Sequence, residues 1–402
     1  MKPRILFLVP ADYEELRRKG TDRMIEERDE GGFFERVVTI HPLALQARTV
    51  DLSPIHRIYE FPLGRALGSQ APGIRARLSA PFRLAAVFRA VVRIARAERI
   101  DLVRATDPYL MGLLAWRVSR VLGVPFCVSL HADYMKRFAL TPKRAGGAWL
   151  RRVARILPSF VFPRADMVLP IRQHMVAPIE RAGARRSAIH VIPHGIDIAP
   201  FTAPMPLDVR ALFGISPAAA VISFVGRLSG DNYAADIAEI IERVARRRRD
   251  VVFVLVGEGP EEGQLRRRLL EQPDVAEAVR MLPFQPYERV IALRRISTAS
   301  LCLMGGFSLI EACAAGSPAV AYDVEWHADL VQDGVTGFLV SEHDVEAAVA
   351  ALERLIDDPV QAAAMGRQGQ LAAFARHDLR VTSRIKQDCY TQLLNGRRSI
   401  AG

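Results

Sequence analysis

The chain reads as an α/β protein with two Rossmann-like parallel-sheet domains, and three observations predict it. Short apolar runs alternate with longer segments of helical period, the pattern of βαβ units. The alternation breaks at a proline-rich stretch, residues 199–206, and then starts again. The length of 402 residues suits two domains rather than one.

Strands are expected at 5–10, 37–41, 102–105, 126–130, 167–170 and 190–193, with amphipathic helices at 80–99 and 111–122. After the break, strands are expected at 221–225, 251–256, 279–282, 300–303, 319–322 and 337–340. The helices between them fall at 234–248, 261–271, 287–294, 309–315 and 345–356, with a last one at 381–394. This gives an N-terminal domain over 1–197, a C-terminal domain over 198–380, and a terminal helix within 381–402 expected to pack back on the first domain. Ligands of such sheets bind at the carboxyl ends of strands, so the strand-to-helix turns are where chemistry is sought.

Half the residues are hydrophobic and a quarter charged, which excludes a disordered chain. No run of 18 apolar residues occurs, and the five-residue apolar start suits a first strand better than a signal peptide. A cytoplasmic protein is expected, soluble or peripheral on the inner membrane face. Cys127, Cys302, Cys313 and Cys389 show no CxxC spacing and no histidine cluster, so free buried thiols are expected and a metal site is not. The net charge is +11, and all but five of the 55 basic residues are arginine. Aromatic residues do not interleave with the basic runs, which argues against nucleic acid.

In the second half, Val221-Ile-Ser-Phe-Val-Gly-Arg-Leu ends a strand on Gly226-Arg227, where glycine admits a ligand and arginine suits phosphate. Val251-Val-Phe-Val-Leu-Val-Gly-Glu-Gly-Pro turns tightly at Gly259-Pro260 and leaves Glu258 open to either role. In Leu301-Cys-Leu-Met-Gly-Gly-Phe-Ser-Leu-Ile-Glu-Ala-Cys-Ala-Ala-Gly-Ser-Pro, a strand runs into Gly305-Gly306 and a helix opens at Phe307-Ser308. The N–H groups of Phe307, Ser308 and Leu309 then face an anion, and Glu311 is placed to accept from a ribose diol. The bland alternative makes Ser308 an N-cap and Glu311 the other half of a capping box.

These segments, in this order, resemble the retaining GT-B glycosyltransferases of family 4. The resemblance rests on Val191-Ile-Pro-His-Gly-Ile-Asp, Phe224-Val-Gly-Arg-Leu, Leu255-Val-Gly-Glu-Gly-Pro, Glu311-Ala-x-Ala-x-Gly-x-Pro and Asp333-Gly-x-x-Gly-Phe-Leu-Val. It implies a retaining hexosyl- or N-acetylhexosaminyl-type transferase using a UDP- or GDP-linked sugar. Arg227 would neutralise the diphosphate, Glu311 would hold the ribose, and the amides from Gly306 to Leu309 would cradle the phosphates. Gly226, Glu258 and Gly305 complete that donor set, and residues 283–285, with Phe284, would lie against the base. No Asp-x-Asp motif occurs, which fits a metal-independent reaction with no resident cofactor.

The chain departs from the family at two donor positions. Asn232 stands where the family has a lysine, and Leu303 where it has a glutamate. Asn232 stays in the donor set, and Glu325 and His327, after the strand at 319–322, are expected near the donor. In the first domain the resemblance makes His131, at a strand end, a catalytic residue facing the transferred sugar. Asp133 would orient it, or simply cap the following turn. Asp107 and Tyr109 open at the acceptor side, or form an Asp-Pro turn before a helix.

The acceptor is expected to be a glycan, a lipid-linked or a small-molecule hydroxyl. Alternatives on the same scaffold are a sugar-nucleotide epimerase or hydrolase, and a non-catalytic binding subunit. Ten arginines against three acids between 57 and 104, and Arg144, Arg151, Arg152 and Arg155 beside Trp149, suggest an anionic membrane surface. Solvated arginine-rich helices explain them equally well.

Overall fold

In the computed structural model, residues 2–18, 27–63, 74–131 and 156–398 are described. The chain forms two units: 1–193 with 383–402, and 194–382.

The first unit is a seven-stranded sheet ordered β3-β4-β2-β1-β5-β6-β7. β1 (Arg4–Leu8) lies between β2 (Arg36–His41) and β5 (Leu102–Ala105); β6 (Phe126–Leu130) and β7 (Met167–Pro170) follow β5. All of these pair in parallel, and so does β4 (His56–Pro62) with β2. β3 (Leu43–Ser53) pairs antiparallel with β4 at the edge. The helices Ile74–Ala97 and Leu110–Leu122 connect strands. The described residues of one sheet face bury Leu6, Val38, Val103, Leu114, Val118 and Val128 in a common core. The other face buries Phe7, Phe34 and Cys127 against Tyr390 and Leu393 of the last helix.

β3 and β4 were not expected from the sequence. β3 is exposed at most positions after Ala44 and carries polar and charged residues, so it lacks the apolar signal of a buried strand. The strand expected at 190–193 is instead a coil beside β7, joined by His190 N–H to Val168 O and Ile192 N–H to Pro170 O.

The second unit is wholly parallel, ordered β10-β9-β8-β11-β12-β13. Its strands are β8 (Ala220–Val225), β9 (Val251–Val256), β10 (Val279–Leu282), β11 (Ala299–Leu301), β12 (Ala319–Tyr322) and β13 (Gly337–Val340). Numbered within the unit this is 3-2-1-4-5-6, the doubly wound order, with its direction reversing between β8 and β11. The helix Ala234–Arg247 presents Ile237, Ile241 and Val244 to the core, with spacing of three and four residues.

Residues 199–206, expected as a linker, belong to the second unit. Ala199–Thr202 is a short helix whose Phe201 is buried against Tyr287, ring centroids 6.4 Å apart. A long helix absent from the sequence reading, Pro359–His377, packs on Phe307–Ala314. The last helix, Leu379–Arg398, carries the chain back into the first unit, where its Tyr390 and Leu393 are buried. All four cysteines are free and buried. Among the described residues no helix is long and apolar enough to cross a membrane.

Candidate active site

The site builds at the carboxyl ends of β8 and β11, the two strands flanking the reversal of strand order in the second unit. Beyond β8 the chain continues as Gly226-Arg227-Leu228, and beyond β9 as Gly257-Glu258-Gly259. Their pairing runs past the strands: Gly226 N–H donates to Val256 O (3.0 Å), Leu228 N–H to Glu258 O (3.1 Å) and Glu261 N–H to Leu228 O (3.1 Å). Side chains do not fit between the two loops. A Cβ on Gly257, whose φ is +144°, would stand 2.0 Å from Gly226 O, and one on Gly259 would stand 2.1 Å from Leu228 O. The Val-Gly-Glu-Gly-Pro motif is therefore a brace, glycine against backbone, for the Gly226-Arg227 loop.

Arg227 is exposed on that braced loop and makes no ion pair among the described residues. Asn232 fixes the loop from its far end, donating from Nδ2 to Arg227 O (2.7 Å). At this position the chain has a loop clasp where the sequence resemblance would place a second cation. Glu258 is exposed beside it. Phe284, just past β10, is 81% exposed, a large apolar ring open to solvent. Its loop adjoins the brace through Gly257 N–H donating to Leu282 O (3.1 Å).

The helix Phe307–Ala314 starts at Gly306, which is the N-cap residue and has no side chain to cap with. The capping-box alternative for Ser308 and Glu311 is thereby corrected. Ser308 lies inside the helix, and its hydroxyl donates to Val225 O (2.6 Å), tying the helix to the end of β8. Glu311 pairs with Arg294 (3.3 Å), a guanidinium that is 1% exposed and also donates to Ser308 O and Ser308 Oγ (3.0 Å). Leu309 is fully buried, and the Phe307 ring packs on His194, centroids 4.7 Å apart.

The reading of His327 is corrected here. His327 does not face a ligand: it is fully buried, with Nδ1–H donating to Tyr322 O (2.7 Å) and Nε2 accepting from Gly305 N–H (3.0 Å). This tautomer is assigned from those partners. Gly305 consequently spends its amide on His327, and the amides left at the helix start begin at Gly306. His327 is a support beneath the glycine turn. Glu325 is exposed, in the left-handed region at φ +52°. Leu303, where the family resemblance calls for an acid, is wholly buried in the core of this unit.

In the first unit His131 follows β6. The Ser129 hydroxyl donates to Ala105 O (3.1 Å), so it accepts from His131 Nε2–H (3.1 Å) and from Arg104 Nε (3.1 Å). Arg104 is buried and reaches the Tyr390 hydroxyl. Glu30, buried within 3.9 Å of Arg104, accepts from Lys386 Nζ (3.0 Å) and Ser383 Oγ (3.2 Å). Asp107 is buried and forms the turn: its Oδ1 accepts from Tyr109 N–H (2.8 Å). Burial pushes its carboxyl up to about 6, against the backbone N–H bonds of Tyr109 and Met111. Tyr109 is half-buried. Asp133, and Arg144, Trp149, Arg151, Arg152 and Arg155 of the basic stretch, lie outside the described residues.

Sequence reasoning passed over Arg294 and Arg104. Each is an arginine set among buried apolar positions, between Leu293 and the apolar face of its helix in one case and within Leu-Val-Arg-Ala in the other. Charge inside an apolar run was the available signal.

Two parallel α/β sheets, the second holding braced glycine turns and an open helix N-terminus at its switch point, define a GT-B fold. Solved structures agree on the fold. Anabaena Alr3699/HepE, solved in complex with UDP, has a TM-score of 0.70 at 20% identity, covering 97% of this chain and 100% of that one. A glycosyltransferase from Rickettsia africae ESF-5 has a TM-score of 0.73 at 12% identity, covering 98% and 99%.

The family follows from the sequence. Residues 210–372 match the model described as glycosyl transferases group 1, and residues 19–195 match the glycosyl transferase 4-like domain. The chain belongs to this family and is a glycosyltransferase. It is 31% identical over 273 residues to a D-inositol 3-phosphate glycosyltransferase of Nocardia farcinica, which covers 64% of this chain and 59% of the relative. It is 29% identical over 370 residues to a 2-deoxystreptamine N-acetyl-D-glucosaminyltransferase of Streptomyces fradiae, covering 87% and 84%.

Proposed function

We propose that the chain transfers a hexosyl or N-acetylhexosaminyl group from a UDP- or GDP-linked sugar to a hydroxyl acceptor, with retention at the anomeric carbon and without a resident metal. The observation that carries this reading is the exposed Arg227 on a loop braced by Gly257 and Gly259 and tied to the helix at Gly306–Leu309. An arginine fork and helix amides on a rigid backbone suit a diphosphate leaving group. In the step proposed, the acceptor oxygen bonds to the anomeric carbon as the bond from that carbon to the diphosphate oxygen breaks. The acceptor proton passes to the departing phosphate. Arg227 and the amides of Phe307 and Ser308 carry the developing charge, Glu311 holds the ribose, Phe284 offers a face to the base, and His131, its Nε2–H held by Ser129, accepts from a sugar hydroxyl at Nδ1.

Relatives named for D-inositol 3-phosphate and 2-deoxystreptamine make these the first acceptors to assay. A peripheral membrane surface is also part of the proposal. The helix Ile74–Ala97 exposes Arg89, Arg93 and Arg96 along one stripe, and Phe82 is 77% exposed.

The test is calorimetric titration of UDP and GDP sugars into the wild type and the variants Arg227→Ala and Glu311→Ala, with turnover measured alongside. Each variant is expected to lose at least about tenfold in donor affinity or kcat/KM. Unchanged binding and turnover in both would overturn the donor site.

A further inference from the structure

We propose that Arg294 is a positioning residue for donor recognition, holding the Glu311 carboxylate so that one oxygen remains directed to the ribose hydroxyls. The inference rests on the donor-site reading above and extends it to a residue that touches no substrate.

Arg294 sits on the helix Tyr287–Ile296 among Val290, Ile291 and Leu293, all buried. A guanidinium enclosed there is costly unless its N–H groups find acceptors. Nη1 and Nη2 find three, all at the donor site, while Nε is buried without a partner. Nη1 donates to Ser308 O, while Nη2 reaches Ser308 Oγ at 3.0 Å and Glu311 Oε2 at 3.3 Å. Ser308 Oγ in turn donates to Val225 O (2.6 Å), the residue before Gly226-Arg227. One buried fork therefore fixes the helix start, the acidic side chain and the end of β8 relative to one another.

Glu311 is shared unequally. Oε2 is taken by Arg294, and no partner is recorded for Oε1 among the described residues. The side chain is 18% exposed and Oε1 is not among the buried polar atoms that lack a partner, so this oxygen is open to solvent. Glu311 is also the only carboxylate between residues 301 and 322, because position 303 is a core leucine. Ribose recognition in this stretch falls to a single oxygen on a single side chain, and Arg294 determines where that oxygen points. Lysine cannot substitute fully, since one ammonium lacks the fork needed to span Ser308 and Glu311.

The readout is discrimination between ribose and deoxyribose, because a purely structural arginine would alter both affinities alike. UDP, GDP and their 2′-deoxy forms are titrated calorimetrically into the full-length wild type, Arg294→Met, Arg294→Lys and Glu311→Gln. Folding of each variant is checked by circular dichroism. For the nucleotide the wild type binds, Arg294→Met is expected to lose about tenfold in affinity for the ribo form and little for the deoxy form. Arg294→Lys is expected to lose about threefold, and it serves if the methionine variant does not fold.

A wild-type ribo/deoxy ratio in a folded Arg294 variant, or an equal loss for both nucleotides, overturns the inference. If Glu311→Gln also keeps the wild-type ratio, the ribose role of Glu311 falls with it. If the wild type binds no nucleoside diphosphate, the donor site itself is refuted and the inference falls too. Loss of discrimination in Glu311→Gln but not in the Arg294 variants defeats the inference alone.

Discussion

The carboxyl ends of the two sheets are held in place by different physics. In the second unit, loops past β8 and β9 lie backbone to backbone, and the space between them admits only glycine. In the first, the corresponding region is held by buried ionic and polar side chains. Arg104 links Ser129 and Tyr390, Glu30 takes Lys386, and Arg28 lies 4.8 Å over the Phe7 ring with Nη1 donating to Thr39 Oγ1 (2.9 Å). Burial, and then the like charge of Arg104, push the Arg28 guanidinium down to about 9. Burial and Arg28 push His41 and His56 down to about 3 each. A backbone brace is indifferent to pH and salt, whereas a buried charged network is sensitive to protonation. The comparison teaches that equivalent ends of two sheets of one fold class have separate vulnerabilities.

The largest expected effect breaks the brace. Gly257→Ala places a Cβ against Gly226 O at a φ that L residues rarely adopt. A loss of about 3–5 kcal/mol is expected from strain and overpacking together, read as a lower denaturant midpoint, with donor affinity falling as the Gly226-Arg227 loop shifts. Wild-type stability in this variant would show that the loops are free to separate and would end the contrast.

The second effect belongs to the first unit. His41 and His56 have folded pKa values below the ordinary 6.5. The unfolded chain therefore binds more protons, and stability rises with pH. Their contribution is full above about pH 6.5 and drains away as pH falls towards 3, on the order of 2–4 kcal/mol together by pH 5. Hydrogen exchange at pH 7.5 and pH 5, corrected for intrinsic rates, should show β2 and β4 losing protection while β8 and β9 keep theirs. Equal losses in both sheets would contradict the comparison.

Legibility in the sequence followed the same division. The second sheet was readable almost strand for strand, because buried parallel strands are apolar runs and glycine turns punctuate them. The brace itself was visible as Gly257 and Gly259, although the sequence does not say what each glycine approaches. β3 and β4 went unread because Arg48, Asp51 and Arg57 satisfy one another and Glu60 across an antiparallel edge, so their polarity mimics a loop. Supporting residues were the least legible part of the site. His327 looked like a ligand-facing histidine because its place after β12 is visible in sequence, while its partners, Gly305 and Tyr322 O, are set by tertiary structure. Arg294 was missed for the same reason, since its acceptors lie 14 and 17 positions away.

A smaller effect sharpens the account of the first unit. Tyr390→Phe removes the hydroxyl that meets Arg104 and leaves the ring packed on Phe34, centroids 5.1 Å apart. A cost of about 1–2 kcal/mol is expected for a hydrogen bond to a buried charged group. If Arg104 acts on His131 through Ser129, kcat should fall with KM for the donor unchanged. A variant with lowered stability and an intact kcat would confine Tyr390 to the fold.

The smallest effect concerns charge outside the network rather than within it. Arg89, Arg93 and Arg96 are exposed on the helix Ile74–Ala97 and make no ion pair among the described residues, while in the second unit Arg243 and Arg247 pair with Glu346, and Arg248 with Asp250 and Asp357. An arginine already neutralised by carboxylates has little to offer an anionic surface, so Arg93 should contribute to attraction where Arg247 does not. Arg93→Gln is expected to weaken binding to vesicles of phosphatidylglycerol and phosphatidylcholine by about fivefold, near 1 kcal/mol per residue at the surface. Arg247→Gln should leave it unchanged. Co-sedimentation at two salt concentrations measures both. Equal binding to purely phosphatidylcholine vesicles, or equal losses in the two variants, would remove the membrane role from this helix and return its arginines to ordinary solvated charge.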